Sequence, residues 1–210
     1  MIIKSVSAGP IDANCYIICD ESTKCGAIID PGAFDQRILQ AIKDAGIENL
    51  QYILCTHGHF DHIAGVAEFK NKFPSARIGI GTDDASMLWD CDLNLANGFG
   101  VDFTPANADV TFNDGDLFEI GDLTVKVHFA PGHTPGGVLY ELKEGDLIFT
   151  GDTLFRGSIG RTDLPGGNFW TLIKTLKGFS KFDDKCIILP GHGEKSTLEY
   201  EYNTNPYFKR

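Results

Sequence analysis

Several features that define other classes of protein are missing from this sequence. No apolar run approaches the roughly 20 residues of a membrane-spanning helix. Residues 1–5 lead directly into a strand-like run, without the basic and long apolar regions of a secretory signal. The six cysteines are scattered and include no CxxC pair. We therefore expect a cytoplasmic protein whose thiols are reduced and mostly buried in the core.

Positive charge is also scarce, because 18 Lys and Arg residues face 29 Asp and Glu residues, for a formal net charge of -11. Non-specific nucleic-acid binding depends on basic patches, so we expect neither a nucleic-acid nor a membrane partner. The GxSxG signature of serine hydrolases is absent. A length of 210 residues with 42% hydrophobic residues suits one full core. No linker-like segment interrupts the chain, so a single domain over residues 1–210 is expected.

Short apolar runs with helical patterns between them predict the fold class α+β. Strands are predicted at residues 2–6, 15–19, 26–29, 51–55, 77–80, 116–120, 123–129, 138–142, 146–150 and 186–189. Helices are predicted at about 35–45, 63–69, 82–89, 168–179 and 197–203, and a long loop at 91–108. This arrangement implies two mixed sheets packed face to face and covered outside by helices.

A dense group of histidines stands at one predicted junction between a strand and a helix. The stretch from Thr56 reads Thr-His-Gly-His-Phe-Asp-His and contains His57, His59, Asp61 and His62. Imidazole and carboxylate are ligands that suit zinc or iron. His57 and His59, one residue apart, can share one ion, whereas Asp61 and His62 begin the helix and can serve a second.

Three further candidate ligands follow other predicted strands, each beside glycine: His133, Asp152 and His192. Strand ends that present their loops at one edge would bring these side chains to the first group, and the glycines let the backbone bend close to the ions. Five histidines and two aspartates then account for two metal shells. The remaining histidine, His128, lies on the opposite strand face from Val127 and is expected to be a surface or hydrogen-bonded residue.

The chain resembles the metallo-β-lactamase superfamily from about residue 14 to 192. It carries four features in the family's order: the HxHxDH motif, the later histidine, the aspartate after a strand and the final Gly-His. The resemblance implies a four-layer αββα sandwich. It assigns His57, His59 and His133 to one metal, assigns Asp61, His62 and His192 to the second, and makes Asp152 a bridge. It also implies that Asp30 supports the ligand loops, and Thr56 could orient a ligand through its hydroxyl; as an alternative, Asp30 only forms a turn.

The resemblance implies a metal-dependent hydrolase with two divalent ions, zinc first and iron or manganese as alternatives. Water held between two such ions becomes hydroxide near neutral pH, and Asp61 helps to orient or deprotonate it. The segment 151–167 resembles the short glyoxalase II-like branch, the hydroxyacylglutathione hydrolases. We therefore predict a small-molecule thioester substrate, S-2-hydroxyacylglutathione. Arg156 and Arg161 could hold its carboxylate, or could pair with Asp163 and neighbouring carboxylates.

Two alternatives stay open at this point. Residues 156–164 also resemble a loop of the persulfide dioxygenases, which use a single iron and glutathione persulfide, but this chain lacks that loop's cysteine and has one residue more. The other alternative is a metal-binding module without turnover, although a purely structural zinc needs only four ligands. Two-domain glyoxalase II enzymes carry a C-terminal helical domain with glutathione contacts. This chain ends at Arg210, so its hold on glutathione is expected to be weaker, different or absent.

Overall fold

A computed structural model describes residues 1–208 as two six-stranded sheets with helices on their outer faces. The strands are β1 Ile2–Ala8, β2 Ala13–Cys19, β3 Cys25–Ile29, β4 Asn49–Leu54, β5 Arg77–Gly81, β6 Val110–Phe112, β7 Leu117–Ile120, β8 Leu123–Phe129, β9 Val138–Leu142, β10 Leu147–Gly151, β11 Leu154–Phe155, β12 Ser158–Ile159, β13 Ile187–Pro190 and β14 Ser196–Thr197. The α-helices are α1 Gln36–Asp44, α2 Phe60–Ile63, α3 Val66–Lys72, α4 Ala96–Phe99, α5 Phe169–Lys177 and α6 Leu198–Thr204. Three 3₁₀ helices span Thr82–Leu88, Lys143–Gly145 and Gly178–Lys181.

Both sheets are mixed. The first has the order β1-β2-β3-β4-β5-β6, antiparallel from β1 to β3 and parallel from β3 to β6. The second has the order β14-β13-β10-β9-β8-β7, in which only the β10 and β13 pair is parallel. Strands β11 and β12 form a separate small hairpin. The predicted fold class, with two mixed sheets and outer helices, is confirmed.

The sequence of β3 shows why the layers form. Its residues are apolar on both faces, as expected of a strand buried on both sides. Ile28 packs in the cluster that α1 and α3 close, whereas the next residue, Ile29, packs between the two sheets. A third apolar cluster joins the second sheet to α5 through residues such as Ile148 and Leu172. Three apolar interfaces therefore hold four layers together.

Helix boundaries follow local sequence signals. Asp35 accepts a hydrogen bond from the Arg37 N–H at the start of α1, and Asn168 accepts one from the Thr171 N–H at the start of α5. Such caps satisfy N–H groups that have no partner inside the helix. Within residues 1–208, no helix is long and apolar enough to cross a membrane.

The predictions for the second quarter of the chain need corrections. The single helix expected at 63–69 is two helices, because the chain turns at Gly65, whose N–H donates to the Pro31 carbonyl at 2.8 Å. The helix expected at 82–89 is a 3₁₀ helix, and the loop expected at 91–108 contains α4. The short strands β6, β11, β12 and β14 were not predicted, since two or three residues carry no readable period.

The cysteines and His128 agree with expectation in most respects. All six cysteines are free; Cys25 and Cys91 are half-buried and the other four are buried. His128 is buried rather than on the surface, and its Nε2 lies 2.7 Å from the Glu141 carboxylate. It is therefore a hydrogen-bonded histidine of the fold.

Candidate metal centre

The seven predicted ligands converge because each of their loops follows the carboxyl end of a strand. The histidine stretch follows β4, and His133 lies four residues after the end of β8. Asp152 directly follows β10, and His192 lies two residues after β13. All seven side chains lie at one edge of the two sheets, and together they offer three overlapping groups of ligand atoms, each group within 4.8 Å.

The first group is formed by His57, His59 and His133. All three are buried, and His59 Nδ1 lies 2.9 Å from His133 Nε2. These are the residues that the family resemblance assigns to one ion.

The second group is formed by Asp61, His62 and His192. Asp61 Oδ2 lies 3.2 Å from His62 Nε2 and 3.1 Å from His192 Nε2. Asp152 reaches both groups, with Oδ1 3.3 Å from His62 Nε2 and Oδ2 3.6 Å from His133 Nε2. Asp152 therefore lies within reach of both groups, and its role as a bridging ligand stays a prediction.

Asp30 and Thr56 form the polar support below the histidines. The Asp30 carboxylate accepts hydrogen bonds from the Thr56 N–H and hydroxyl, both at 2.7 Å, and its Oδ2 lies 3.1 Å from His62 Nδ1. Because the Thr56 hydroxyl hydrogen points to Asp30, the hydroxyl oxygen accepts a hydrogen bond from His57 Nδ1 at 3.1 Å. Asp30 thus contacts the His62 ring and Thr56 contacts the His57 ring, and the orienting role of both residues stays a prediction.

These contacts fix which ring nitrogen carries the lone pair. His57 donates through Nδ1 to Thr56, and His133 donates through Nδ1 to the backbone carbonyl of Arg161 at 2.7 Å. In each neutral ring the lone pair is then on Nε2, which faces the cluster. Among the described residues, the buried Nε2 of His57 has no hydrogen-bond partner. A buried lone pair normally has one, so the donor set fits a cation at this position.

Glycine at position 191 keeps the centre open. A Cβ atom there would lie 2.6 Å from His62 Cε1 and would overlap Asp152 Oδ1. Any side chain would therefore displace two candidate ligands.

Electrostatics divide the histidines into two kinds. Burial lowers the pKa of His57 well below its ordinary value and lowers the pKa of His59 to about 3. Burial acts in the same direction on His62, but the carboxylates of Asp61, Asp152 and Asp30 outweigh it and raise its pKa well above the ordinary value. Burial also lowers the pKa of His192, but the hydrogen bond to Asp61 and the negative charges of Asp152 and Asp61 together outweigh it, so the pKa is raised.

The pKa of Asp61 is lowered, since the positive charge of His62 and the hydrogen bond from His192 outweigh the effect of burial. Asp61 is therefore ionised at neutral pH. A carboxylate in this state is a good cation ligand and a weak base.

The side chains of the two arginines predicted to bind substrate form salt bridges. Arg161 forms two hydrogen bonds with Asp163, at 2.7 and 2.8 Å, and Arg156 pairs with Glu194 and lies over the Tyr200 ring. Both pairs are exposed. These are the carboxylate partners that the sequence analysis left open as the alternative, and the binding of a substrate by either arginine stays a prediction.

Sequence reasoning missed the groups that hold the His192 loop. Asn14 on β2 donates through its side chain to the carbonyls of Pro190 and Gly193, at 3.1 and 2.9 Å, and the Tyr16 hydroxyl donates to Pro190 at 2.8 Å. A lone asparagine in an apolar strand was the available signal, since a buried amide needs partners.

The layers and the cluster together define the class of protein. Two sheets packed face to face, with helices outside and a His/Asp cluster at one edge, form a metalloprotein fold whose site has enough donors for two divalent ions.

Comparison with known proteins gives the family. The family model of the metallo-beta-lactamase superfamily matches residues 8–192. The chain belongs to this superfamily.

Two relatives match nearly their whole length. Hydroxyacylglutathione hydrolase GloC of Haemophilus influenzae is 34% identical over 99% of this chain and 98% of its own. The probable metallo-hydrolase YqgX of Bacillus subtilis is 36% identical over 97% of this chain and 96% of its own.

Similar solved structures include the BLEG-1 B3 metallo-beta-lactamase, at a TM-score of 0.93 and 32% identity with full coverage of both chains. TTHA1623, solved in a di-iron-bound form, has a TM-score of 0.86 and 32% identity over 97% of this chain and 99% of its own. ETHE1 from Myxococcus xanthus has a TM-score of 0.81 and 27% identity over 98% of this chain and 84% of its own.

Proposed function

We propose that this protein is a metal-dependent thioester hydrolase that acts on S-2-hydroxyacylglutathione. The observation that carries the proposal is the convergence of seven candidate ligands beside a segment that carries two arginines. The 34% identity to hydroxyacylglutathione hydrolase GloC supports the substrate class.

His57, His59 and His133 would hold one divalent ion, and Asp61, His62 and His192 a second, with Asp152 reaching both. When bound, such ions polarise a carbonyl oxygen and lower the pKa of water from about 15.7 towards about 7. Zinc suits this mixed set of nitrogen and oxygen ligands. Iron is the first alternative, supported by the likeness to TTHA1623 in its di-iron-bound form.

Asp61 contributes as an ionised carboxylate. Its pKa is lowered, so it accepts hydrogen bonds more readily than it takes up a proton. We therefore assign it the orientation of the attacking water in addition to ligation. A thiol has a pKa near about 8.5, so a thiolate leaves without a strong general acid, and the reaction needs no proton donor at the leaving sulfur.

The arginine-bearing segment is attached directly to the centre. The carbonyl of Arg161 accepts from His133 Nδ1, and a Cβ atom on Gly160 would overlap the Asp152 carbonyl. The side chains of Arg161 and Asp163 are more than half exposed, and solvent screening leaves such exposed ion pairs weak. Arg161 can therefore exchange Asp163 for a substrate carboxylate at little cost.

The test is a substrate panel assayed with protein of measured metal content: S-D-lactoylglutathione, a neutral thioester, a β-lactam, and glutathione persulfide with an oxygen electrode. We expect turnover of S-D-lactoylglutathione without oxygen uptake. Oxygen uptake with the persulfide alone would contradict the proposal and favour a persulfide dioxygenase. Hydrolysis of the β-lactam alone would also contradict it and would favour the activity named for BLEG-1. No turnover of any substrate by fully metal-loaded protein would favour a binding module.

The same assay tests Asp61. Asp61→Ala should reduce turnover by at least about 100-fold, while circular dichroism stays that of the wild type, because Asp61 contacts other ligands rather than the core. Near-normal turnover in this variant would contradict the assigned role.

A further inference from the structure

Asp84 is a buried carboxylate outside the ligand set. It lies in the 3₁₀ helix Thr82–Leu88 that follows β5, and none of its surface is exposed. A charged side chain is rarely buried in this way unless it is paired or hydrogen-bonded. Its partners therefore indicate what it does.

Both carboxylate oxygens of Asp84 bind backbone N–H groups of ligand loops. Oδ2 accepts from Gly58 at 3.0 Å, and Oδ1 accepts from Gly136 at 2.6 Å. Gly58 stands between the ligands His57 and His59, and Gly136 is the third residue after His133. One carboxylate thus joins the two loops that carry the first group of histidines.

The packing around Asp84 brings both loops close to the 3₁₀ helix. A Cβ atom on Gly136 would overlap the Asp84 backbone nitrogen, and a Cβ atom on Gly58 would overlap Met87 in the same 3₁₀ helix. Gly136 therefore packs against the backbone of the 3₁₀ helix, and Gly58 packs against the Met87 side chain. The two N–H groups that Asp84 binds are buried with it, and a buried N–H without a partner is destabilising.

We propose that Asp84 is a positioning residue that fixes the spacing of His57 and His59 against His133 by holding the backbones of both loops. It touches neither substrate nor metal and acts through the loops. The proposal depends on the ion-binding role of the three histidines, but not on the nature of the substrate. Residues that support metal ligands in this way typically contribute 10–100-fold in metal affinity.

The test is a zinc titration of metal-free protein against a competing chelator, without substrate. Asp84→Asn keeps the size of the side chain but places an NH₂ group against one backbone N–H. We expect this variant to bind one of its two zinc ions about 10–100-fold more weakly. The affected binding event should be the one that His133→Ala also weakens. Asp83→Asn, at the exposed neighbouring position, is the matched control and should bind both ions as the wild type does.

Unchanged zinc affinity in Asp84→Asn would overturn the proposal. This holds even if the melting temperature falls, because loss of a merely structural residue would lower stability without changing zinc affinity. Equal weakening of both ions would also overturn it. If the variant does not fold, hydrogen exchange in the metal-free wild type decides: slow exchange of the Gly58 and Gly136 amides supports the proposal, and fast exchange of either contradicts it. If S-D-lactoylglutathione is not hydrolysed, only the proposed function fails, since no substrate enters this test.

Discussion

At the scale of single residues, the two groups of ligands differ in protonation. The pKa values of His57 and His59 are lowered by burial, so both rings offer a lone pair at neutral pH. His62 and His192 lie among carboxylates that raise their pKa values. In the metal-free protein these carboxylates therefore favour a proton where the second ion would bind.

This difference predicts proton release from one group. A raised pKa means that His62 and His192 hold a proton more strongly than a free imidazole does, and a divalent ion must displace any proton that they hold. The affinity of the Asp61, His62 and His192 group should therefore fall as the pH is lowered from 8 to 6. Calorimetric zinc titrations in two buffers of different ionisation enthalpy give the number of protons released for each ion. If both zinc-binding events released the same number of protons, the proposed difference between the two groups of histidines would be contradicted.

The arginines give a second prediction at this scale. Arg161→Ala should raise KM for S-D-lactoylglutathione more than KM for a neutral thioester such as ethyl thioacetate, because only the first substrate carries carboxylates. Arg37→Ala is the matched control, since Arg37 is also an exposed arginine paired with an aspartate two residues away, Asp35. Equal changes in both KM values would indicate that Arg161 has a structural role alone.

At the scale of elements, strand ends determine where the ligands lie. The carboxyl ends of β4, β8, β10 and β13 each open into a ligand loop, and the loops are then tied to neighbouring elements by polar side chains. Asn14 on β2 ties the His192 loop in this way. The sheets bring the loops near one another, and such contacts fix their positions.

Asn14→Ala tests this arrangement. Loss of the amide leaves buried carbonyl groups with fewer partners, and we expect a decrease of about 1–3 kcal/mol in the free energy of unfolding. The ion held by His192 should also bind more weakly. Denaturant unfolding and zinc titration measure the two effects, with Asn49→Ala at the exposed start of β4 as control. A variant as stable as the control would show that Asn14 does not hold the loop.

Much of the element order could be predicted from the sequence, because long apolar strands such as β8 and capped helices such as α1 leave clear local patterns. The short strand β6 and the helix α4 could not, since three or four residues show no period and form through their neighbours. At the site, too, some residues are visible in the sequence and others are not. The ligands stand in a recognisable motif, whereas Asn14 and Asp84 are single polar residues whose partners are distant in sequence and become visible only in the fold.

At the scale of the whole molecule, the fold joins two half-sites. The HxHxDH stretch comes from the first sheet, and the loops of His133, Asp152 and His192 come from the second. A single sheet would supply an incomplete set of ligands. The proposed hydrolysis should therefore require both sheets to be packed together, with a metal ion bound at each of the two groups of ligands.

The most direct test of the two-ion centre is a titration of the metal-free protein with zinc while hydrolysis of S-D-lactoylglutathione is followed. The proposed function predicts that turnover rises with added zinc and reaches its plateau at two equivalents per chain. Full activity at one equivalent, or activity that zinc does not change, would contradict a hydrolytic centre built from two ions.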